Sequence, residues 1–540
     1  MGIENKRLKR QHARWQPKSP RDIIIRLKTE RRGIGKLKAM SILFVALLQL
    51  GVLITLHTLV AAAFRGYLIF SVVMDILTCL YVLASDKNGR SKAVWIMLIL
   101  VLFPVGFLIF VLSDERIFFR SSRRRYRAIL QSSSGMLTGC SCKDMPETTA
   151  RACTYIKNAT GYVPYKNTSA EYFPSGAGAF DDMIERCASA EKFIFLEYFI
   201  VAGGVLFDRL FSVLNERAAA GVDVRVIYDD MGSSGKLSGK LKREVRASGI
   251  QLYAFNKLVP MYKIAMNYRD HRKITVIDGR FAYTGGINIS DEYVNERRLY
   301  GYWKDNAVRI EGDAVQGFTL MFLRQWEFVT KKPSDYSPFM YAGGGKFPEP
   351  VSSGDVCGAS GGTFLPYASG LEYAAPVARD VYAGAISQAG ERLWIMTPYF
   401  VPDDTITNLL ASKALSGVDV RIVLPGVPDK AYVYLISLDN ADKLMSSGVK
   451  VYTMTDAFVH TKSVLTEKCA IIGSANFDLR SFFQQYENAL YTDDAGVMRG
   501  LEQDFLQTFP ECTQRNYASV QPGPVRALLI SLLQIFSPLM

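Results

Sequence analysis

The sequence predicts an α/β protein of two fused lobes of one design, set behind N-terminal transmembrane helices. Three observations predict it. A basic tail is followed by three long apolar stretches, a strand–helix–strand pattern occurs twice, and each copy leads to a His-x-Lys triplet. The length of 540 residues is too great for one ordinary hydrophobic core and enough for two compact units.

Composition narrows the class first. Hydrophobic residues make up 49% and charged residues 21% of the chain, which excludes a largely disordered protein. The 8 cysteines are scattered without a CxxC spacing, so neither a disulfide scaffold nor a structural zinc site is expected. Histidine occurs only at positions 12, 57, 271 and 460, so any imidazole chemistry must choose among four rings. The net charge of +13 is uneven: residues 1–127 carry +16, leaving −3 for the rest. The excess flanks apolar segments, which suits an anionic membrane surface better than a nucleic acid.

The elements follow in order. Residues 1–40 read as a basic cytoplasmic tail and 41–113 as the membrane region. Its stretches Ser41–Phe64, Tyr67–Ala84 and Ala93–Ser113 hold 24, 18 and 21 residues, against the ~20 that span a bilayer as helix. Basic residues gather before the first stretch, between the second and third, and after the third. The positive-inside rule wants all three groups in the cytoplasm. Three full crossings would strand the last group, so one stretch is expected to dip in without crossing, the second with its Asp75 or the third with Pro104 and Gly106. This gives a multi-pass protein of the cell membrane with a cytoplasmic C-terminal part. Residues 114–160 read as a basic juxtamembrane linker.

Beyond residue 160 the texture is that of a soluble α/β protein, and it repeats. Glu191-Lys-Phe-Ile-Phe-Leu-Glu-Tyr-Phe leads through a helical pattern to Gly221-Val-Asp-Val-Arg-Val-Ile-Tyr. Glu391-Arg-Leu-Trp-Ile-Met-Thr-Pro-Tyr-Phe leads likewise to Gly417-Val-Asp-Val-Arg-Ile-Val-Leu. Each is a βαβ unit, predicting a largely parallel sheet. The lobes are placed at 161–335 and 386–515, joined by a Gly/Ser/Pro-rich linker over 336–385. An apolar helix at 520–540 ends the chain, too short to span and suited to the membrane interface or the core.

Candidate site residues come from the same repeat. His271-Arg-Lys273 runs through Asp278-Gly into Thr284-Gly285-Gly286-Ile-Asn288. His460-Thr-Lys462 runs through Glu467 into Gly473-Ser474-Ala-Asn476. Residues two apart on a strand share a face, so each His and its Lys point the same way. A nucleophile or acid beside a fixed cation is what attack on a phosphate requires. Asp278, an odd number of residues from His271 and followed by Gly, reads as a turn and framework residue. Gly285, Gly286 and Ser474 are small enough to let a ligand approach the backbone, and Asn288 and Asn476 offer amide donors. Trp303-Lys-Asp305-Asn-Ala lines up with Tyr486-Glu487-Asn-Ala, giving each lobe one carboxylate at a matched strand start.

These residues resemble the duplicated HxKxxxxD signature of the phospholipase D superfamily. Within it, the apolar N-terminal region, Thr397-Pro-Tyr-Phe-Val-Pro-Asp and the paired Gly-Val-Asp-Val-Arg segments resemble bacterial cardiolipin synthases over roughly residues 93–540. The resemblance implies two phospholipase D-like lobes with pseudo-twofold symmetry, one active site at their interface and a covalent phosphohistidine. It also implies that Asp305 and Glu487 orient the histidines. Glu467 departs from the motif, which has Asp there, and the run from it to Gly473 is one residue shorter than from Asp278 to Gly285. By analogy His271 is the nucleophile and His460 the general acid, while Lys273 and Lys462 offset phosphate charge. The substrate implied is phosphatidylglycerol, with no metal or other cofactor and no nucleic acid. A phospholipase D, a transferase with another acceptor and a non-catalytic membrane protein with a degenerate second motif remain open.

Overall fold

The structure, a computed structural model, describes residues 65–85, 89–103, 105–113, 120–258, 268–340 and 361–516, with scattered positions in 47–60 and 530–534. The tail 1–40 and most of the first apolar stretch lie outside the described residues. So does most of 520–540, within which Ile530 is buried and Gln534 donates to Asp439.

The second apolar stretch forms α1 (Arg65–Ala84). Its part Gly66–Ala84 is the one helix among the described residues long and apolar enough to cross a membrane. The third stretch is not the continuous span its length suggests. It forms α2 (Gly89–Val101) and α3 (Gly106–Ser113), broken where Pro104 supplies no amide proton. A side chain at Gly106 would meet Ile99 O at 2.1 Å, so glycine is needed for the close approach at this break. Trp95 and Phe110 have ring centroids 5.1 Å apart, whereas fifteen residues of continuous helix span roughly 22 Å. The second half therefore folds back on the first. Asp75 on α1 accepts the Phe107 amide at 2.9 Å, capping the start of α3.

Residues 114–160, expected as a linker, instead carry α4 (Arg120–Ser132) and α5 (Glu147–Thr160). Their apolar residues Tyr126, Ile129, Cys153 and Ile156 are buried in the main core, a pattern that the dense arginines mask in the sequence.

Lobe one is a seven-stranded sheet of β1 (Thr168–Phe173), β2 (Phe193–Tyr198), β3 (Asp223–Asp229), β4 (Gln251–Phe255), β5 (Lys273–Ile277), β6 (Phe281–Gly285) and β7 (Ala307–Gly312). The order across the sheet is β1-β7-β6-β5-β2-β3-β4. It is followed by helix α6 (Val315–Thr330). Lobe two comprises β8 (Phe364–Ser369), β9 (Arg392–Met396), β10 (Asp419–Pro425), β11 (Lys450–Met454), β12 (Ser463–Thr466), β13 (Ala470–Gly473), β14 (Gln485–Thr492) and β15 (Cys512–Gln514). The order β8-β14-β13-β12-β9-β10-β11-β15 repeats that of lobe one and adds an edge strand.

The sheets are mixed rather than largely parallel. The βαβ units give parallel β2–β3 and β9–β10 pairs, and β4 and β11 continue them in parallel. The strands around each His-x-Lys pair antiparallel through tight connections. The expected linker also yields to structure, because β8 and the helix Val377–Gln388 belong to lobe two.

One buried apolar cluster runs through both lobes, with α6 at its centre. Phe322 on α6 stacks on Phe195 of β2, centroids 4.5 Å apart. A side chain at Gly317 would press on Pro366 of β8 at 2.9 Å. Each such fully buried aromatic contributes about 1.5–3 kcal/mol, so the lobes are welded by the same currency that folds each one.

Candidate active site

Each His-x-Lys begins where its strand leaves the other lobe. Arg269–Asp270 pairs in parallel with Gln485–Tyr486, and the His271 amide donates to Tyr486 O at 2.9 Å. In the reciprocal arrangement, Tyr302–Lys304 pairs in parallel with Ala457–Val459, and the His460 amide donates to Lys304 O at 2.7 Å. These short ladders bring Glu487 to His271 and Asp305 to His460. His271 Nδ1 lies 2.9 and 3.0 Å from the two Glu487 oxygens, and His460 Nδ1 lies 2.7 Å from Asp305 Oδ2. The pairs are crossed, since each ring's Nδ1 meets a carboxylate of the opposite lobe, and Lys462 Nζ also lies 2.8 Å from His460 Nδ1. With the proton held on Nδ1, each Nε2 is left to attack or to pass a proton.

The rings are nearly enclosed, 6% and 7% exposed, and this governs their acidity. Burial pushes His271 down to about 4, against the pull of Glu487 and with help from Lys273 and Lys462. Burial, then Lys462, Lys273 and His271, hold His460 well below the usual imidazole value. That both lysines act on both rings places the four groups in one site. Burial lowers Lys273 to about 8 and Lys462 to about 7, opposed chiefly by Glu487 and Asp305 respectively. Burial alone would raise Glu487, but His271, Lys273 and Ser474 overcome it and keep the carboxylate charged. Burial raises Asp305 to about 6, against Lys462, the Asn306 amide and Lys273. Both ammonium groups fold back on their neighbours: Lys273 Nζ donates to His271 O at 2.5 Å, and Lys462 Nζ donates to His460 O. Trp303 and Tyr293 each lie 5.1 Å from the His460 ring, and Phe199 lies 5.1 Å from His271.

Asp278 and Glu467 sit at the far ends of the two motif strands. Asp278, at φ 53° beside Gly279, accepts the amides of Glu191, Lys192 and Phe193, each at 2.8 Å. Glu467 accepts those of Gly390, Glu391 and Arg392 at 2.8, 3.3 and 3.4 Å. These amide bonds outweigh its part burial and hold it below the ordinary carboxylate range. The longer side chain thus spans to the same three amides from a connection one residue shorter. Glu467→Asp is accordingly expected to leave kcat within about twofold while lowering stability by about 1 kcal/mol, the worth of a weakened hydrogen bond. Steady-state assay and thermal melting of the variant check this.

The small residues serve the carboxylates. A side chain at Gly286 would meet Asp305 Oδ1 at 2.0 Å. At Gly285 it would strike Asn306 O at 2.3 Å. Ser474 donates to Glu487 Oε2 at 2.5 Å. Asn288 accepts from the Ile200 amide and donates to Tyr293 OH, and Asn476 donates to Asp478, so both amide donors are engaged within the fold. Sequence reasoning missed Asn306 and Asn488. Asn306 Nδ2 donates to Ser463 Oγ at 2.9 Å; Asn488 Oδ1 accepts the Lys273 amide at 3.0 Å and its Nδ2 donates to Thr284 at 2.6 Å. The signal was present, because Asn follows the carboxylate in both copies.

Two cations beside two rings form an arrangement that can take a phosphodiester anion. The family model described as "Cardiolipin synthase, PLD-like domain" matches residues 183–326 and 382–509, one segment in each lobe. The chain belongs to this family. An uncharacterised protein of Streptococcus mutans is 33% identical over 470 residues, covering 85% of this chain and 99% of that relative. A cardiolipin synthase of Geobacillus thermodenitrificans is 31% identical over 512 residues, covering 91% and 97%. Among solved structures, the phosphatidylserine synthase of Haemophilus influenzae shares the fold at a TM-score of 0.54 and 16% identity, over 73% of this chain and all of that one.

Proposed function

We propose that the protein joins two phosphatidylglycerol molecules into cardiolipin with release of glycerol. The observation that carries this is the convergence of two His-x-Lys pairs whose rings are held by crossed carboxylates. His271 Nε2 attacks the phosphorus of one phosphatidylglycerol, and the bond from phosphorus to the headgroup glycerol oxygen breaks. His460, which takes up a proton as the phosphodiester anion enters beside it, delivers that proton to the leaving oxygen. A head-group hydroxyl of a second phosphatidylglycerol then gives its proton to His460 and attacks phosphorus, breaking the P–N bond. Lys273 and Lys462 neutralise the non-bridging oxygens through both steps. One phosphodiester replaces another, so the exchange needs no external energy source. Detergent-solubilised protein given labelled phosphatidylglycerol alone should yield cardiolipin and glycerol in equal amounts. Phosphatidic acid as the product would make it a hydrolase instead, and no product with any alcohol would leave the degenerate-repeat reading.

The same reading places the enzyme in the cell membrane as a multi-pass protein with its lobes in the cytoplasm and an anionic surface as its partner. The folded-back α2–α3 pair supports this topology. Lys92 Nζ reaches Leu83 O at 2.8 Å, and Tyr81 meets Phe110 at 6.0 Å, so the chain enters and returns beside the end of α1. With two crossings before it, this hairpin keeps every basic group on one side. In a variant with its native cysteines replaced by serine, Asn88→Cys and Ser121→Cys should both react with an impermeant maleimide only after cells are opened. Labelling of Ser121→Cys in intact cells would mean that the third stretch crosses.

A further inference from the structure

Among the described residues, the histidine of lobe one has a support that its counterpart lacks. Asp270 and Arg272 flank His271, whereas Val459 and Thr461 flank His460. Arg272 is buried, and its guanidinium donates to Glu487 O at 3.2 Å and to Glu372 at 2.5 Å. Asp270, equally buried, accepts the Arg272 amide at 3.3 Å and Gln325 Nε2 at 3.1 Å. Gln325 is a wholly enclosed residue of α6. Its other end, Oε1, accepts the hydroxyl of Tyr126 at 3.0 Å. Tyr126 belongs to α4, the helix that joins the membrane region to the lobes.

Other contacts hold α4 in this seat. Its ring stacks on Tyr486, the residue before Glu487, at 5.9 Å. Arg125 donates to Phe328 O at 3.1 Å and lies over the Phe328 ring. Arg324 on α6 donates to Ser133 at 2.8 Å. The opposite face of α4 exposes Arg124 and Arg127.

We propose that Tyr126 and Gln325 are positioning residues of the active site, and that the juxtamembrane helix is through them a working part of it. The chain Tyr126–Gln325–Asp270 fixes the segment on either side of His271, and Arg272 fixes the backbone of its carboxylate partner. A buried amide whose two ends are both engaged cannot turn without losing a hydrogen bond, so the network has one arrangement. It touches no substrate. Its effect is to hold Nε2 of His271 in line with phosphorus, and small displacements of a reacting group are costly in rate.

The test uses the full-length protein in detergent with phosphatidylglycerol as substrate. Tyr126→Phe should lower kcat by between about 5-fold and about 100-fold at unchanged KM, the scale of a slight misplacement of a reacting group. Gln325→Leu should do the same, and the double variant should lose no more than the worse single, because both act through one chain. Tyr155→Phe removes a comparable interhelical hydroxyl, bonded to Asp380 at 2.6 Å, and should leave kcat and KM unchanged. The proposal falls if Tyr126→Phe retains kcat within twofold of wild type, if its loss lies in KM, or if its loss only tracks a fall in the folded fraction seen by melting. Wild-type protein that turns over without a phosphohistidine at residue 271 would overturn the roles given to the histidines, and the kcat comparison would still stand.

Discussion

Replacing His271 with alanine should abolish cardiolipin formation, by roughly 10⁴-fold or more, and so should replacing His460. The two losses should differ in kind. A phosphatidyl ester of p-nitrophenol carries a leaving group that departs without a proton. Offered this compound, His460→Ala should release about one equivalent of nitrophenol in a burst and retain a phosphatidyl group on His271, because only the acid and base steps are missing. His271→Ala should give neither burst nor adduct. Rapid-quench kinetics with mass spectrometry of the trapped peptide read both outcomes. The opposite pattern would exchange the roles of the rings, and no burst in either variant would remove the covalent intermediate.

Neutralising the crossed carboxylates should cost nearly as much. Glu487→Gln and Asp305→Asn keep shape and remove charge, and each should lower kcat by about 10²–10⁴-fold, the loss known for an acid that orients a catalytic histidine. The crossing assigns each loss to a step. Glu487 serves His271, so Glu487→Gln should slow the nitrophenol burst itself. Asp305 serves His460, so Asp305→Asn should leave the burst within a fewfold of wild type and suppress turnover with phosphatidylglycerol. If Asp305→Asn alone slowed the burst, the carboxylates would act within their own lobes and the observed pairing would not describe the working enzyme.

The repeat made both lobes, both His-Lys pairs and both carboxylates legible, because a strand period of two and a duplicated Asn-Ala context survive divergence. What sequence could not convey was the exchange across the interface. Residues 305 and 487 lie at equivalent places, and only the facing of the lobes decides which ring each one meets. The buried cluster of Asp270, Arg272, Glu372 and Gln325 stayed hidden for another reason. Asp270 and Arg272 have Val459 and Thr461 at the matching places of the other copy, so comparison of the halves averages them away, and buried charge imitates a solvated face in sequence. The break in the third apolar stretch was legible from Pro104 and Gly106, as one of two places where the chain was expected to dip in. The arginines of α4 concealed that Tyr126 and Ile129 point inward.

The exchange of carboxylates between lobes has a consequence for heredity. If Asp305 and Glu487 orient the rings as proposed, neither half of the chain can decay alone, because a change that silences Asp305 disables the histidine of the other half, and the same holds for Glu487. Selection therefore sees the duplicated halves as one trait. Drift is tolerated where both partners of a bond lie in the same half. Glu467 is free of that bond between halves, since its three amides, at residues 390–392, belong to its own lobe.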